Sequence, residues 1–548
     1  RTLLLEPGAK KRLSVNLSGD VISEFSVRVN KQSVLLPAHG GGNSREIAIL
    51  SAEGDKFDYL RSLKVDRNPY YNPASPQSDS VYSEEYVVPT TLSVLPPDLF
   101  PSQWGYLKDL QALVCYDLNA LNLSDAQQKA LEYWVRQGGN LVLISNGTAN
   151  EFTGSKLEPL LPLRPETTET TGNRLVVKGP LYENAETVPP GQENFNVCRR
   201  PLDYGWVWFI NTPMITPAVL GDTETTQLWR TIFDSMQPSN SNPVLRVVNY
   251  DVLNDIPEIP RTNAGWVALF ILLYGVVVGP INLSFLRKKD KMLYAFVTVP
   301  IIALLFAGSA YAVNRLLRPS KPVLREIGWF CPRIGELEGP AEAELVLFSP
   351  YSRVFDLSSR ADTVFVPTLH RYRSQSRDVY PYTTTPEDGV RTQISSGTWD
   401  VQRFNALSVH RVESAFDIEV DEKAKEIRIK SPIESDGEAA VIEVPSKGCT
   451  PLFFLKRGEN IISFDQLNVA SNAVQEFSSF SSDRYPSRPD FAARVLPLLE
   501  APVPVESKKN AQGQVRLLLW TQDVHTPIQV DGGTIHRHDY LVTVVGKS

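Results

Sequence analysis

Residues 264–313 read AGWVALFILLYGVVVGPINLSFLRKKDKMLYAFVTVPIIALLFAGSAYAV, two uncharged apolar runs split by the basic turn Arg287, Lys288, Lys289, Asp290 and Lys291. Each run, 264–286 and 292–313, is close to the ~20 residues a helix needs to cross hydrocarbon. A soluble core helix of that length normally carries a polar stripe, and neither run has one. The pair predicts a two-helix transmembrane hairpin over 264–313 in a lipid bilayer, with Trp266, Tyr294 and Tyr311 as interfacial anchors. Short loops rich in Lys and Arg stay on the cytoplasmic side, so the 287–291 turn is expected there and the flanking regions outside the cytoplasm. Gly275 and Gly279 form a G-x-x-x-G step, and Ala303, Ala307 and Gly308 recur at helical spacing on the second run. Small residues let helices approach closely. They serve either the contact between the two spans or an integral membrane partner, and the partner is the sharper expectation. With no Asp, Glu, Lys or Arg inside either run, an ion pathway is not expected.

Working outward, a chain of 548 residues exceeds one core and implies several folded units. Its net charge of −7 offers no basic face, so a nucleic-acid partner is excluded. Residues 1–68 alternate in short bursts (RLSVNLS, EFSVRVN, EIAILSA) and predict an N-terminal β-sandwich. Over 79–238 the pattern changes to buried strands (QALVCYD, NLVLISNG, YGWVWFINTP) alternating with helices (SDAQQKALEYWVRQGG, ETTQLWRTIFDSMQ). That alternation predicts a parallel sheet covered on both faces. Ser124 and Gln127 are placed to form a capping box, and Gly138–Gly139 to end the helix. Residues 319–548 are strand runs with turn signals, a C-terminal β-rich domain expected in the periplasm, closing on a hairpin between QVRLLLWTQD and HDYLVTVVG, with one helix, SRPDFAARVLPLLEA. Arg1 is not an initiator and RTLLLEPGAKKRLSV has no apolar h-region, so an export signal is expected to have been removed. In an oxidising compartment Cys115 can pair with Cys198 and Cys331 with Cys449; four free buried thiols is the equal alternative.

The run LKDLQALVCYDLNALNLSDAQQKALEYWVRQGGNLVLIS with RPLDYGWVWFINTP downstream resembles the class I glutamine amidotransferase-like, flavodoxin-like domain of bacterial membrane proteins. Followed by the apolar hairpin and a β domain containing LLLWTQDVHTPIQVDGG, the layout is similar to a bacterial envelope family. Relatives of that domain include auxiliary subunits of ABC-type export systems associated with gliding motility and proteins encoded beside MoxR-type ATPases. The resemblance implies the architecture: multidomain α/β plus all-β with a transmembrane hairpin. Catalysis on that fold needs a cysteine on a strand-to-helix elbow with a histidine and a glutamate. Here Ser145, Asn146 and Gly147 occupy the elbow, Cys115 lies in the preceding strand, and no histidine falls between Asn146 and the first span. The elbow therefore reads as vestigial and the chain as no enzyme. His536 and His538 share one strand face with His525 across the hairpin; three imidazoles can bind zinc or copper, but an exposed polar face is expected, with no metal or cofactor. The sequence thus points to a non-catalytic accessory or scaffold subunit of a bacterial inner-membrane complex. Its rival is a membrane-anchored module binding a glycan or small metabolite in the crevice near Asp117 and Asn146.

Overall fold

The computed structural model is mixed α/β, mostly strand, with several sheets and two long apolar helices. It describes residues 24–547 outside 38–44, 61–89, 189–196, 215–222, 237–263, 368–381, 469–513 and gaps of at most three residues. The expected helix SRPDFAARVLPLLEA and the N-terminal residues before 24 lie outside the described residues.

The chain begins with a hairpin of β1 (Glu24–Val29) and β2 (Gln32–Pro37). Then come β3 (Arg45–Leu50), β4 (Thr90–Leu95), β5 (Ala112–Tyr116), helix α1 (Asp125–Arg136) and β6 (Asn140–Ile144). A hairpin of β7 (Thr167–Thr171) and β8 (Arg174–Lys178) precedes β9 (Glu186–Thr187), β10 (Val197–Leu202), β11 (Gly205–Ile210) and α2 (Thr223–Ser235). The sheet order is β4-β3-β5-β6-β11-β10-β9, parallel from β4 to β11 and antiparallel beyond. Every residue of β5, β6 and β11 is buried, as near-continuous apolar strands between two helical layers must be. One face packs under α1 with Trp104 and Trp134, the other under α2 with Trp229 and Phe233.

Residues 45–50, expected inside an N-terminal β-sandwich ending at 68, instead pair with both β4 and β5. Ile47, Ala48, Ile49 and Leu50 are all buried, and a strand apolar on both sides belongs inside a covered parallel sheet. The α/β unit therefore starts by residue 45, well before 79. Helix α1 starts on the capping box: Gln127 N donates to Ser124 Oγ at 3.4 Å and Ser124 N to Gln127 Oε1 at 2.9 Å. It stops at Gly138, whose φ of 109° suits glycine.

Next come the apolar helices, described below, and the β unit. Its central sheet holds β12 (Val323–Phe330), β13 (Glu338–Ser349), β15 (Val364–Pro367), β18 (Asp400–Arg411), β21 (Ala440–Val444), β22 (Gly448–Cys449), β24 (Gln514–Thr521) and β26 (Ile535–Lys547). The order is β15-β18-β13-β12-β26-β24-β21-β22, with β12 and β26 parallel and β24 and β26 the expected antiparallel pair. A second sheet of β14 (Arg353–Ser359), β16 (Tyr382–Thr385), β17 (Gly389–Ser396) and β25 (Gln529–Val530) packs on one end. A third, of β19 (Asp417–Asp421), β20 (Glu426–Ser431) and β23 (Gly458–Ser463), packs on the other.

The two units dock through ion pairs and packing. Arg136, wholly buried at the end of α1, donates from Nε to Asp203 at 2.8 Å, from Nη1 to Glu336 at 2.8 Å and from Nη2 to the Cys331 carbonyl at 3.0 Å. Arg333 reaches back to Asp203 at 3.1 Å. Burial alone would raise the Asp203 carboxyl, but Arg333 and Arg136 hold it below the usual range. Around this network Lys108 pairs with Glu342 and Lys129 with Glu338, Trp104 Nε1 donates to the Ser408 carbonyl at 3.1 Å, and Leu407 and Val364 join the α/β core. Breaking a buried pair by removing one partner costs about 3–5 kcal/mol. Arg136→Ala is expected to lower stability by that order in chemical unfolding, and combining it with Glu336→Ala to cost less than the sum of the two.

Candidate functional site

Ser145 ends β6 fully buried, and its hydroxyl donates to Glu151 Oε2 at 3.1 Å while accepting from Gly147 N at 2.9 Å. Asn146 N also donates to Glu151, at 2.8 Å, and Asn146 Nδ2 donates to Asp117 Oδ1 at 2.9 Å. Gly147 has φ of +96°, and a Cβ there would sit 2.7 Å from Leu175. The chain then enters the short 3-10 turn Ala149–Phe152. The elbow is thus a closed turn in which Glu151 satisfies the strand end. Asp117 and Asn146, at the carboxyl ends of β5 and β6, are joined to each other.

All four cysteines are free and buried, so of the two alternatives the free thiols form and the two pairings do not. Three strand spacings separate β5, which carries Cys115, from β10, which carries Cys198. At about 4.8 Å each, they far exceed the ~7 Å Cα limit for a disulfide. Cys331 follows β12 and Cys449 lies on β22, four strands further along the same sheet. Burial pushes the Cys198 and Cys331 thiols up to about 12, so neither is a reactive nucleophile at neutral pH.

The histidines are brought together. In the parallel register Leu324 faces His536, Glu326 faces His538 and Gly328 faces Tyr540. Leu324 belongs to the core under the second sheet, while Phe330 and Tyr540 belong to the core under the third. On this face Glu326 falls between them, in the seam between two apolar cores. Its buried carboxylate accepts from Thr526 N at 2.7 Å and His536 Nε2 at 2.8 Å, and from the hydroxyls of Thr526 and Tyr540. Burial alone would raise Glu326, but bonds from His536, Thr526 and Tyr540 hold it below the usual carboxylate range. Gly328 makes this possible, because a Cβ there would lie 2.2 Å from the Tyr540 ring.

Ring centroids of His525 and His538 are 5.1 Å apart, of His536 and His538 5.5 Å, and of His525 and His536 6.4 Å. The Nδ1 of His538 is buried without a partner, so the expected exposed polar strand face is not what forms. His410, on β18, stacks between Phe330 and Tyr540 with both ring nitrogens unpartnered. A cleft of about 310 Å³ runs past His410 and His525 toward Arg360, Arg411 and Arg457. The sequence signal for this centre is GGTIHRHDY; Glu326 and His410 carry none, lying on strands far from it in the chain.

A second cleft, of about 540 Å³, opens between the units beside Tyr182, Arg200, Asp203 and Arg333. The Arg200 guanidinium stands 5.0 Å from the Tyr182 ring centre, and burial and Arg333 lower its pKa.

The apolar segment comprises α3 (Ala264–Val276), a π-helical turn Val277–Ile281 containing Pro280, α4 (Asn282–Lys288) and α5 (Ala295–Leu317). Two stretches, Gly265–Lys288 and Met292–Val313, are long and apolar enough to cross a membrane. Arg287 and Lys288 end the first stretch and Lys289 and Lys291 lie between the two, all four exposed. The spans meet through Phe270 and Tyr274 against Phe306, at 5.2 and 5.3 Å, and through Asn282 Nδ2 donating to Thr298 Oγ1 at 3.0 Å. A Cβ built on Gly275, Gly279 or Gly308 meets nothing within 4 Å. Ala307 is exposed and Ala303 half-buried.

No family model and no curated protein matches the chain. Over 35% of its length it is similar to two cytoplasmic proteins of Salmonella typhimurium, covering 99% of each at 10% and 11% identity, with TM-scores of 0.25. It is also similar to an exo-beta-1,4-mannosidase from Opitutaceae bacterium strain TAV5, over 36% of each chain, at 11% identity and a TM-score of 0.21. Scores this low assign neither fold nor activity.

Burial lowers the His410 pKa to about 4, against an ordinary 6.5, in the presence of Glu326, Arg360 and His525. A group held below its unfolded value contributes stability above that value and loses it as pH falls toward the folded one. Between pH 6.5 and 4 the native protein is expected to lose about 3 kcal/mol through this residue. His410→Phe should flatten that part of the profile in urea unfolding, measured against the unsubstituted chain.

Proposed function

We propose that the chain is a non-catalytic accessory or scaffold subunit of a bacterial inner-membrane complex. The hairpin anchors it, the basic 287–291 turn faces the cytoplasm, and the docked α/β and β units stand in the periplasm. On this reading the α/β unit is a degenerate member of the amidotransferase-like, flavodoxin-like class, and the complex is of the ABC-export auxiliary type. The observation that carries the proposal is the open small-residue surface of the spans: a Cβ on Gly275, Gly279 or Gly308 would meet nothing within 4 Å among the described residues, while the contact between the helices is made by aromatic rings and the Asn282–Thr298 bond. Small residues unused within a chain suit close packing by another membrane helix. The closed turn at Ser145 supports the non-catalytic part, since its hydroxyl is already committed to Glu151 and Gly147.

A second reading keeps the anchored ligand-binding module but moves its site from the crevice at Asp117 and Asn146, which bond each other, to the cleft at Tyr182 and Arg200, where an aromatic face and a cation adjoin. Thermal stabilisation of the purified protein by envelope glycans would support it, and a flat response would remove it.

Mild-detergent extraction from native membranes followed by mass spectrometry tests the first reading. A stoichiometric membrane partner is expected, and Gly275→Leu with Gly308→Leu should release it while leaving the chain's own melting transition in place, because both positions are open. Recovery of the unsubstituted chain alone would overturn the proposal.

A further inference from the structure

We propose that His525, His536 and His538 bind one divalent transition-metal ion of the zinc class, with Glu326 orienting His536 from behind. This does not depend on membrane anchoring or on a partner. Metal-binding histidines characteristically give their second ring N–H to a carboxylate, which fixes the tautomer and the ring plane. Glu326 supplies that contact at 2.8 Å from His536 Nε2. An ionised carboxylate only accepts, so Nε2 carries the proton and Nδ1 is the lone-pair nitrogen. Three other donors converge on Glu326, from Thr526 N, Thr526 Oγ1 and Tyr540, so the supporting group is itself held in place.

Two of the three ring separations fit, and the third, between His525 and His536, is longer. With metal–nitrogen bonds of ~2.0–2.1 Å, imidazoles in a tetrahedral site have ring centres roughly 5 Å apart, and the observed separations are 5.1, 5.5 and 6.4 Å. Among the described residues no group of three His, Cys, Asp or Glu side chains stands ready to hold a metal. Closing the set takes rotation of the outlying His525, which is exposed on the loop after β24. The buried, unpartnered Nδ1 of His538 gains a partner in the process. Imidazole donors select zinc, copper or nickel over magnesium or calcium. The exposed His525 ring keeps the set open to solvent, so an ion can enter and water can take a fourth position.

The test loads the full-length detergent-solubilised protein with Zn²⁺ or Co²⁺, removes excess ion by gel filtration, and measures metal content and visible absorption. About one zinc per chain and the d–d bands of a four-coordinate cobalt site are expected. His525→Asn with His538→Asn should abolish both at an unchanged circular dichroism spectrum. Where the double variant loses its fold, His525→Asn alone carries the comparison, its ring being on a loop. Glu326→Gln should weaken retention by about 10–100-fold. Absence of retained zinc and of cobalt bands in the unsubstituted chain would overturn the assignment, as would retention of both by the histidine variants.

Discussion

The Arg136 guanidinium is closed off from water between Asp203, Glu336 and the Cys331 carbonyl, two of which belong to the opposite unit. Taking a cation out of water costs several kcal/mol, so the arrangement holds only while those partners stay in place. It requires α1 to end where it does, which the capping box and Gly138 secure, and requires the segment between β12 and β13 to lie against it. Arg333 and Asp203 extend the same network, and Leu407 and Val364 close the apolar contact beside it. Residues from before and after the membrane-length helices thus form one interface. On the proposed reading both units must stand on the same side of a bilayer, which an even number of crossings permits.

The local part of this was legible in the sequence. The strands around ALVCY and NLVLI, helix α1 with Ser124 and Gln127, the pairing of β24 with β26 and the apolar hairpin all rest on short-range patterns. Long-range partners were not legible. EIAIL reads as one more β burst until β5 stands beside it, and only then does burial on both faces explain why Ile47, Ala48, Ile49 and Leu50 are all apolar. The cysteine pairings failed for the same reason, since strand order sets the distance and sequence spacing does not reveal strand order.

The histidine centre shows the boundary most clearly. GGTIHRHDY marks two imidazoles on one face, but the carboxylate that organises them sits in VLREIGWF, 210 residues earlier. Parallel pairing of β12 with β26 puts them together, and the seam between two apolar cores leaves room for polar side chains there. By contrast, Ser145 stands at the end of β6 as its position in the sequence implies, and Glu151, six residues on, turns its hydroxyl inward.

The proposed topology is tested most directly by reacting single-cysteine positions in intact cells with a membrane-impermeant maleimide. The four native cysteines are buried and give little background. Asp125→Cys and Glu413→Cys replace exposed side chains of the two units, and Lys289→Cys one in the turn between the spans. The account predicts that the first two react from outside and the third only after permeabilisation. Reaction of all three alike, or opposite behaviour of Asp125→Cys and Glu413→Cys, would contradict it.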